Sequence, residues 1–343
     1  MKVTKVRACQ PDTPETPRDW RRSMGQILVA IETDTGLTGY GVGGGGLAGI
    51  HVVRTVLRDV LLDRDPNPIE SLWEEMYRAT IMFGRKGLAV MALSGVDLAL
   101  WDLKGKAEGV SVTALLGGKP GQSSPVYKTF WHELPPEQIE PFSAVKLHLG
   151  RSGGGASELI EAIHKARKVA GPDRELMLDA WMQWDLETTL AIAHNTADCN
   201  LGWIEEPIPI DDVEGYRRLA AESPVPIAGG EHEYTEHGFR LLRDLNLHQV
   251  WQPDVNWCGG LTQLIKIYEL ARESNLRVVP HRGAELWSLP ALSALDPSPL
   301  AESGRSWMSW VGGQPSIESG TVTVPDRPGF GVDIDEDGLV CIA

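Results

Sequence analysis

The runs LMLDAW (176–181), GWIEEP (202–207) and VPIAGGE (225–231) decide the fold. Each is a short apolar stretch closing on an acid: Asp179, Glu205 and Glu231, 26 residues apart in both intervals. That interval is one strand–helix unit, so the three acids occupy one register on consecutive strands. Outward from them, further apolar runs fall at 126–131, 144–149, 249–254, 277–281 and 299–303. Helical patterns at 156–170, 186–195, 213–221, 236–245 and 261–274 separate the runs. Eight strands alternating with helices suit a parallel β/α barrel or an open doubly wound sheet.

The polar residues choose between them. The runs carry Lys146 and His148, Asp179, Glu205, Glu231, Asp254, His281 and Glu302 at their ends. A barrel gathers all its strand C-termini into one mouth, whereas an open sheet strings them along an edge. The expected fold is therefore α/β: a parallel β/α barrel over 123–314, preceded by a small α+β lid, or cap, over 1–122. In the cap, QILVAIET (26–33), Asp34-Thr35-Gly36 and 37–42 predict a hairpin. Helical patterns follow at 50–62, 69–80 and 86–108; in the last, Val96, Leu100 and Leu103 recur at helical spacing with Ala92, Ala99 and Ala107 keeping it slim.

Three carboxylates gathered in one mouth repel one another unless a cation neutralises them. Mg²⁺, a hard ion that prefers oxygen ligands and keeps sites for water and substrate, is the expected cofactor on Asp179, Glu205 and Glu231; ligand type alone also admits Ca²⁺ or Mn²⁺. A single such acid is more often solvated, but three at one register on successive strands are not explained that way. Asp254, on the strand beside His281, is placed to hold one imidazole nitrogen and leave the other for substrate. Lys146 and His148 stand at i and i+2 and share a face, where they act as acid, base or carboxylate clamp, or merely offset the acids. Glu302 serves a developing enediolate if protonated and is a structural carboxylate otherwise. Trp20, Arg21 and Arg22 belong to a substrate-binding lid or to an unstructured basic patch. Gly43–Gly46 lacks a following GK[ST] and reads as a flexible loop rather than a phosphate cradle. The dispersed tryptophans read mostly as core.

A net charge of −15 over 343 residues argues against nucleic acid or an anionic membrane as partner. The opening MKVTKVRACQPDTPETP (1–17) has no apolar signal run, and no stretch reaches membrane-helix length. Cys9, Cys199, Cys258 and Cys341 are scattered without a CxxC pair or a His/Cys cluster, so reduced thiols and a cytoplasmic setting are expected.

Several segments, taken in order, resemble the enolase superfamily and its mandelate-racemase-like acid-sugar dehydratases over nearly the whole chain. They are SGVDLALWDLKGKAEGVSVTALLGG (94–118), MLDAW (177–181), WIEEP (203–207), GGEHE (229–233), QPDVNWCGGLT (252–262), VVPH (278–281) and PGFGVDID (328–335). MLDAWMQWD (177–185) and EGYRRL (214–219) are most similar to the L-rhamnonate dehydratase family. Two departures touch the parts that read substrate: Arg282-Gly283-Ala284 stands where that family resembles Gly-Ser-Ser, and strand two reads Lys146-Leu147-His148.

The resemblance implies a (β/α)7β modified TIM barrel over 123–314, an α+β capping domain over 1–122 and a C-terminal segment over 315–343 that returns to the cap. It also implies Mg²⁺ on the three acids, a His281–Asp254 dyad, Glu302 near the enediolate and a homo-oligomeric assembly. The implied activity is dehydration of a small-molecule carboxylate, an L-rhamnonate-like aldonate, to a 2-keto-3-deoxy sugar acid. His281 or His148 removes the C2 proton, and either assists loss of the C3 hydroxyl. A racemase, epimerase or cycloisomerase using His148 and His281 as two bases is the first alternative. A non-catalytic barrel that binds sugar acids is the second.

Overall fold

A computed structural model describes residues 1–13, 19–150 and 155–342. Residues 14–17 of the opening segment read above lie outside the described residues. The cap begins with an antiparallel sheet of β1 (Val3–Cys9), β2 (Ile27–Thr33) and β3 (Thr38–Gly43), in that order. The hairpin of β2 and β3 follows the sequence pattern. β1 went unread because Lys5 and Arg7 interrupt its apolar positions; in the sheet they reach across to Glu32 of β2 at 3.6 and 2.6 Å.

The helix Leu88–Glu108 packs on this sheet, with Val96, Leu100 and Leu103 buried against it. Gly39, Gly41 and Gly43 alternate along β3 and let the two backbones touch; a Cβ at Gly41 would collide with the Gly95 carbonyl. The glycine run after β3 is not the flexible loop expected. Gly45 N–H donates to the Met24 carbonyl (3.2 Å) and Gly46 N–H to that of Gly25 (3.0 Å), and a helix starts at Gly46.

Eight parallel strands form the barrel: β4 (Ser123–Trp131), β5 (Ala144–His148), β6 (Glu175–Asp179), β7 (Leu201–Glu205), β8 (Ile227–Gly229), β9 (Val250–Trp251), β10 (Arg277–Val278) and β11 (Ala301–Glu302). Each pairs with the next from β4 to β10, and β11 returns to pair with β4. Seven helical connections link the eight strands, including a single turn at Pro136–Ile139 and full helices such as Gly155–Ala170 and Gly260–Glu273. Between β10 and β11 the closure runs through Ala284 N–H to the Glu302 carbonyl (2.8 Å) and Arg282 N–H to the Glu302 carboxylate (3.0 Å). Inside lies one buried cluster with a residue from each strand or its flank: Tyr127, Ala144, Met177, Trp203, Ala228, Val250, Val279 and Leu300. A filled interior makes the barrel a packed core that can work only at its ends.

After β11 the chain forms a hairpin of β12 (Ile317–Glu318) and β13 (Thr321–Thr323), and β13 runs antiparallel to the start of β4. It then reaches the cap. Phe330 N–H donates to the Asp102 carboxylate (2.9 Å), and Glu336 accepts from Tyr40 (2.8 Å) and Arg7 (2.8 Å). Ile342 N–H donates to the Gln10 carbonyl (2.9 Å). Beside it Cys341 forms a disulfide with Cys9, Cα atoms 6.0 Å apart. This corrects the reading of four free thiols: a partner 332 residues away is invisible to spacing. Cys199 and Cys258 are free and buried. Among the described residues no helix is long and apolar enough to cross a membrane.

Candidate active site

The barrel strands stop at their polar residues because a charged side chain there reaches the mouth instead of the packed interior. A cavity of about 120 Å³ opens at that mouth, lined by Lys146, His148, Asp179, Glu231, His281 and Glu302 from strand ends and by Trp20 and Arg21 from the cap. Glu205 lies buried under the floor, and Asp254 lies buried behind His281.

Lys146 is the hub. Only 1% exposed, its Nζ lies 2.7 Å from Glu205 Oε2, 3.1 Å from Glu302 Oε1 and 3.7 Å from Asp179 Oδ2. Burial opposes its charge, but Glu205 and Glu302 outweigh that and keep it protonated. One ammonium does not balance the acids. Burial pushes Asp179 up to about 7 and Glu205 up to about 8 despite Lys146, with repulsion from neighbouring carboxylates adding to it. Buried oxygens held this far from their ordinary range fit a divalent cation, which removes the repulsion. Gln252 Nε2 also donates to Glu205 (2.7 Å) and fixes its orientation.

Asp179 and Glu205 end paired strands in register, whereas Glu231 lies beyond the end of β8, and among the described residues the three do not form a group with all ligand atoms within 4.8 Å. Glu206, Glu231 and His232 place their ligand atoms within 4.8 Å of one another. Glu206 accepts from His232 Nδ1 (2.7 Å). Burial works against a charge on His232, but Glu231 and Glu206 raise it to about 10. Glu231 thus stands between two imidazoles, 3.5 Å from His232 Nδ1 and 3.1 Å from His281 Nε2.

His281 Nδ1 meets Asp254 Oδ2 at 2.8 Å. Burial depresses its pKa, but Glu231, Asp254 and Glu302 together raise it above the ordinary histidine value. Burial also opposes the charge of Asp254, which Arg305 and His281 nevertheless hold below the usual carboxylate range. His148 faces the cavity with its ring stacked on Trp131, centroids 3.8 Å apart. Burial and Lys146 push it down to about 4, so it is neutral, and its Nδ1 has no hydrogen-bond partner among the described residues. Of the two forms expected for Glu302, its surroundings favour the carboxylate. Burial raises its pKa, but Lys146, Arg282 and His281 pull it well below the usual range, leaving a carboxylate that accepts from Thr129 (2.8 Å) and Arg282 N–H (3.0 Å).

In the cap, Trp20 meets Trp257 edge-on at 6.1 Å, and Arg21 lies over Trp307 at 5.2 Å while paired with Asp19. Arg22 does not line the cavity; its carbonyl accepts from Gln10 Nε2 (2.9 Å). Two features escaped the sequence reading. Buried Arg305 binds Asp254 and, at 2.6 Å, Glu285; its one signal was a cation three residues past a strand-ending acid. Five tryptophans (Trp20, Trp131, Trp181, Trp257 and Trp307) line the cavity, whereas Trp73, Trp203, Trp251 and Trp287 are core as expected. Periodicity does not separate the two sets.

Residues 5–117 match the family model for the mandelate racemase / muconate lactonizing enzyme N-terminal domain, and 136–338 match that for the enolase C-terminal domain-like family. The L-rhamnonate dehydratase of Saccharopolyspora erythraea is 35% identical over 330 residues, covering 92% of this chain and 84% of its own. Among solved structures, a racemase from Streptomyces coelicolor A3(2) with bound magnesium superposes with TM-score 0.88 at 31% identity, covering 98% of both chains. The 3,6-anhydro-D-galactonate cycloisomerase of Zobellia galactanivorans gives TM-score 0.86 at 30% identity, again over 98% of both.

Proposed function

The chain belongs to the mandelate racemase / muconate lactonizing enzyme family of the enolase superfamily, and from that premise we propose that it dehydrates an acid sugar, an L-rhamnonate-like aldonate, with Mg²⁺ as cofactor. The observation that carries the reading is the Asp254–His281 pair facing a cavity lined by the carboxylates of Asp179, Glu231 and Glu302. Asp179, Glu205 and Glu231 would hold Mg²⁺, which supplies positive charge opposite the substrate carboxylate.

The protein's own groups do the rest. Lys146, kept charged by Glu205 and Glu302, offers a second cation to the carboxylate as it gains enediolate character. His281 Nε2 takes the C2 proton while Asp254 holds Nδ1–H and steadies the resulting imidazolium. The enediolate collapses with loss of the C3 hydroxyl, which departs as water on receiving a proton. His281 then carries that proton, whereas His148, held neutral, does not; this favours His281 as both base and acid. The enol product tautomerises to a 2-keto-3-deoxy sugar acid. The tryptophan-lined wall suits the apolar faces of a sugar chain, and Arg21 stands where its distal end would lie.

Incubation with Mg²⁺ and a panel of aldonic and aldaric acids tests the proposal: 2-keto-3-deoxy product is expected, and no turnover of any member overturns it. His148 and His281 lining one cavity keeps a two-base racemase or cycloisomerase as the second reading. Deuterium uptake at C2 without water loss would select it. Ligand binding that survives His281→Asn with no exchange would indicate a non-catalytic barrel.

A further inference from the structure

A second group of ligating side chains lies on the outer wall of the barrel, away from the mouth. His164, on the helix Gly155–Ala170, and Asp198 and Cys199, on the turn Ala197–Cys199, place their ligand atoms within 4.8 Å of one another. The sequence showed no such cluster, because 35 residues separate the histidine from the cysteine.

The histidine is oriented as a ligand. Its Nε2 faces the Asn195 carbonyl at 3.1 Å, and a carbonyl only accepts, so Nε2 carries the hydrogen. Nδ1 therefore presents its lone pair, and it does so toward Cys199 Sγ at 3.3 Å. A backbone carbonyl fixing the far nitrogen is the usual support of a metal-bound imidazole. The cysteine is pinned as firmly. Arg167, on the same helix as His164, donates from Nε to the Cys199 carbonyl (2.7 Å), from Nη2 to that of Asn200 (3.1 Å) and from Nη1 to that of Gly171 (2.7 Å).

The spacing suits an ion between them. Zn–S and Zn–N bonds of about 2.3 and 2.0 Å at a tetrahedral angle set sulfur and nitrogen about 3.5 Å apart, close to the separation observed. Sulfur, imidazole and one carboxylate form a borderline-soft set that prefers Zn²⁺ to the hard cation assigned to the mouth. Cys199 is 1% exposed, while Asp198 is exposed and His164 half-buried, so one side stays open for the ion and a water.

We propose that His164, Asp198 and Cys199 form a second metal site, for Zn²⁺, with three protein ligands and one solvent position, joining the helix after β5 to the turn before β7. Binding takes the thiolate, so Cys199 releases one proton to solvent and affinity rises with pH.

Co²⁺ is the probe. Chelator-stripped protein in excess Mg²⁺ is titrated with Co²⁺ and followed by absorption. One equivalent should give a thiolate-to-cobalt charge-transfer band that Zn²⁺ removes and Mg²⁺ does not. Cys199→Ser should abolish the band, and His164→Gln should weaken Co²⁺ binding at least about 10-fold. No band in the native protein, or a band unchanged in Cys199→Ser, overturns the site. Should Cys199→Ser fail to fold, the exposed Asp198→Asn takes its place: weakened Co²⁺ binding supports the site, and undiminished binding overturns it as drawn.

Discussion

Asp254 Oδ2 is shared: His281 Nδ1 lies 2.8 Å from it on one side, and the Arg305 guanidinium pairs with it on the other. One carboxylate oxygen thus links the candidate base to a buried cation. Asp254→Asn keeps the shape but weakens the acceptor and admits the wrong tautomer. We expect kcat/KM to fall about 10²- to 10⁴-fold with the fold intact. A loss under tenfold would remove the dyad from the mechanism.

The pH profile carries a sign. His281 works as a base only when neutral, and its neighbours raise its pKa above the ordinary value of 6.5. Activity should therefore climb with rising pH through a midpoint above 6.5 in the free enzyme, read from kcat/KM. Removing the Asp254 charge should move that midpoint down. A midpoint that does not move in Asp254→Asn would contradict the assignment.

Metal dependence should be complete and local. Chelation should abolish turnover and Mg²⁺ restore it. Glu231→Gln should weaken Mg²⁺ binding by at least about 10-fold, as measured by calorimetry, since a charged oxygen ligand is lost. Unaltered affinity would remove Glu231 from the metal site and would count equally against the Glu206, Glu231 and His232 group.

Arg305 neutralises two buried acids, Asp254 and Glu285. Arg305→Met leaves both uncompensated and should cost about 3–5 kcal/mol of stability, measured by urea unfolding. A change below about 1 kcal/mol would mean that water or protonation replaces the guanidinium.

Part of the site was legible because barrel strands repeat: Asp179 and Glu205 end neighbouring strands in register, and Asp254, His281 and Glu302 follow at later strand ends, but Glu205 pairs with Ala228, so equal spacing does not bring Glu231 to the same level. What escaped depends on meetings that repeat at no interval. Arg305 finds Asp254 across 51 positions, Cys9 finds Cys341 across 332, and His164 finds Cys199 around the outside of two adjacent units. The protonation of Glu302 is open in the sequence for a related reason. Its ionisation is set by Lys146 and Arg282, which belong to different strand ends.

The C-terminal segment has a consequence for the order in which the molecule can be completed. Asp102, Tyr40 and Arg7 wait for partners at Phe330 and Glu336, and β1 gains its last clasp from residues 340–342. During synthesis the ribosome delivers those partners only after all eight barrel strands. A nascent chain can close its barrel while the cap still lacks its seam, so the surface that covers the mouth is finished last.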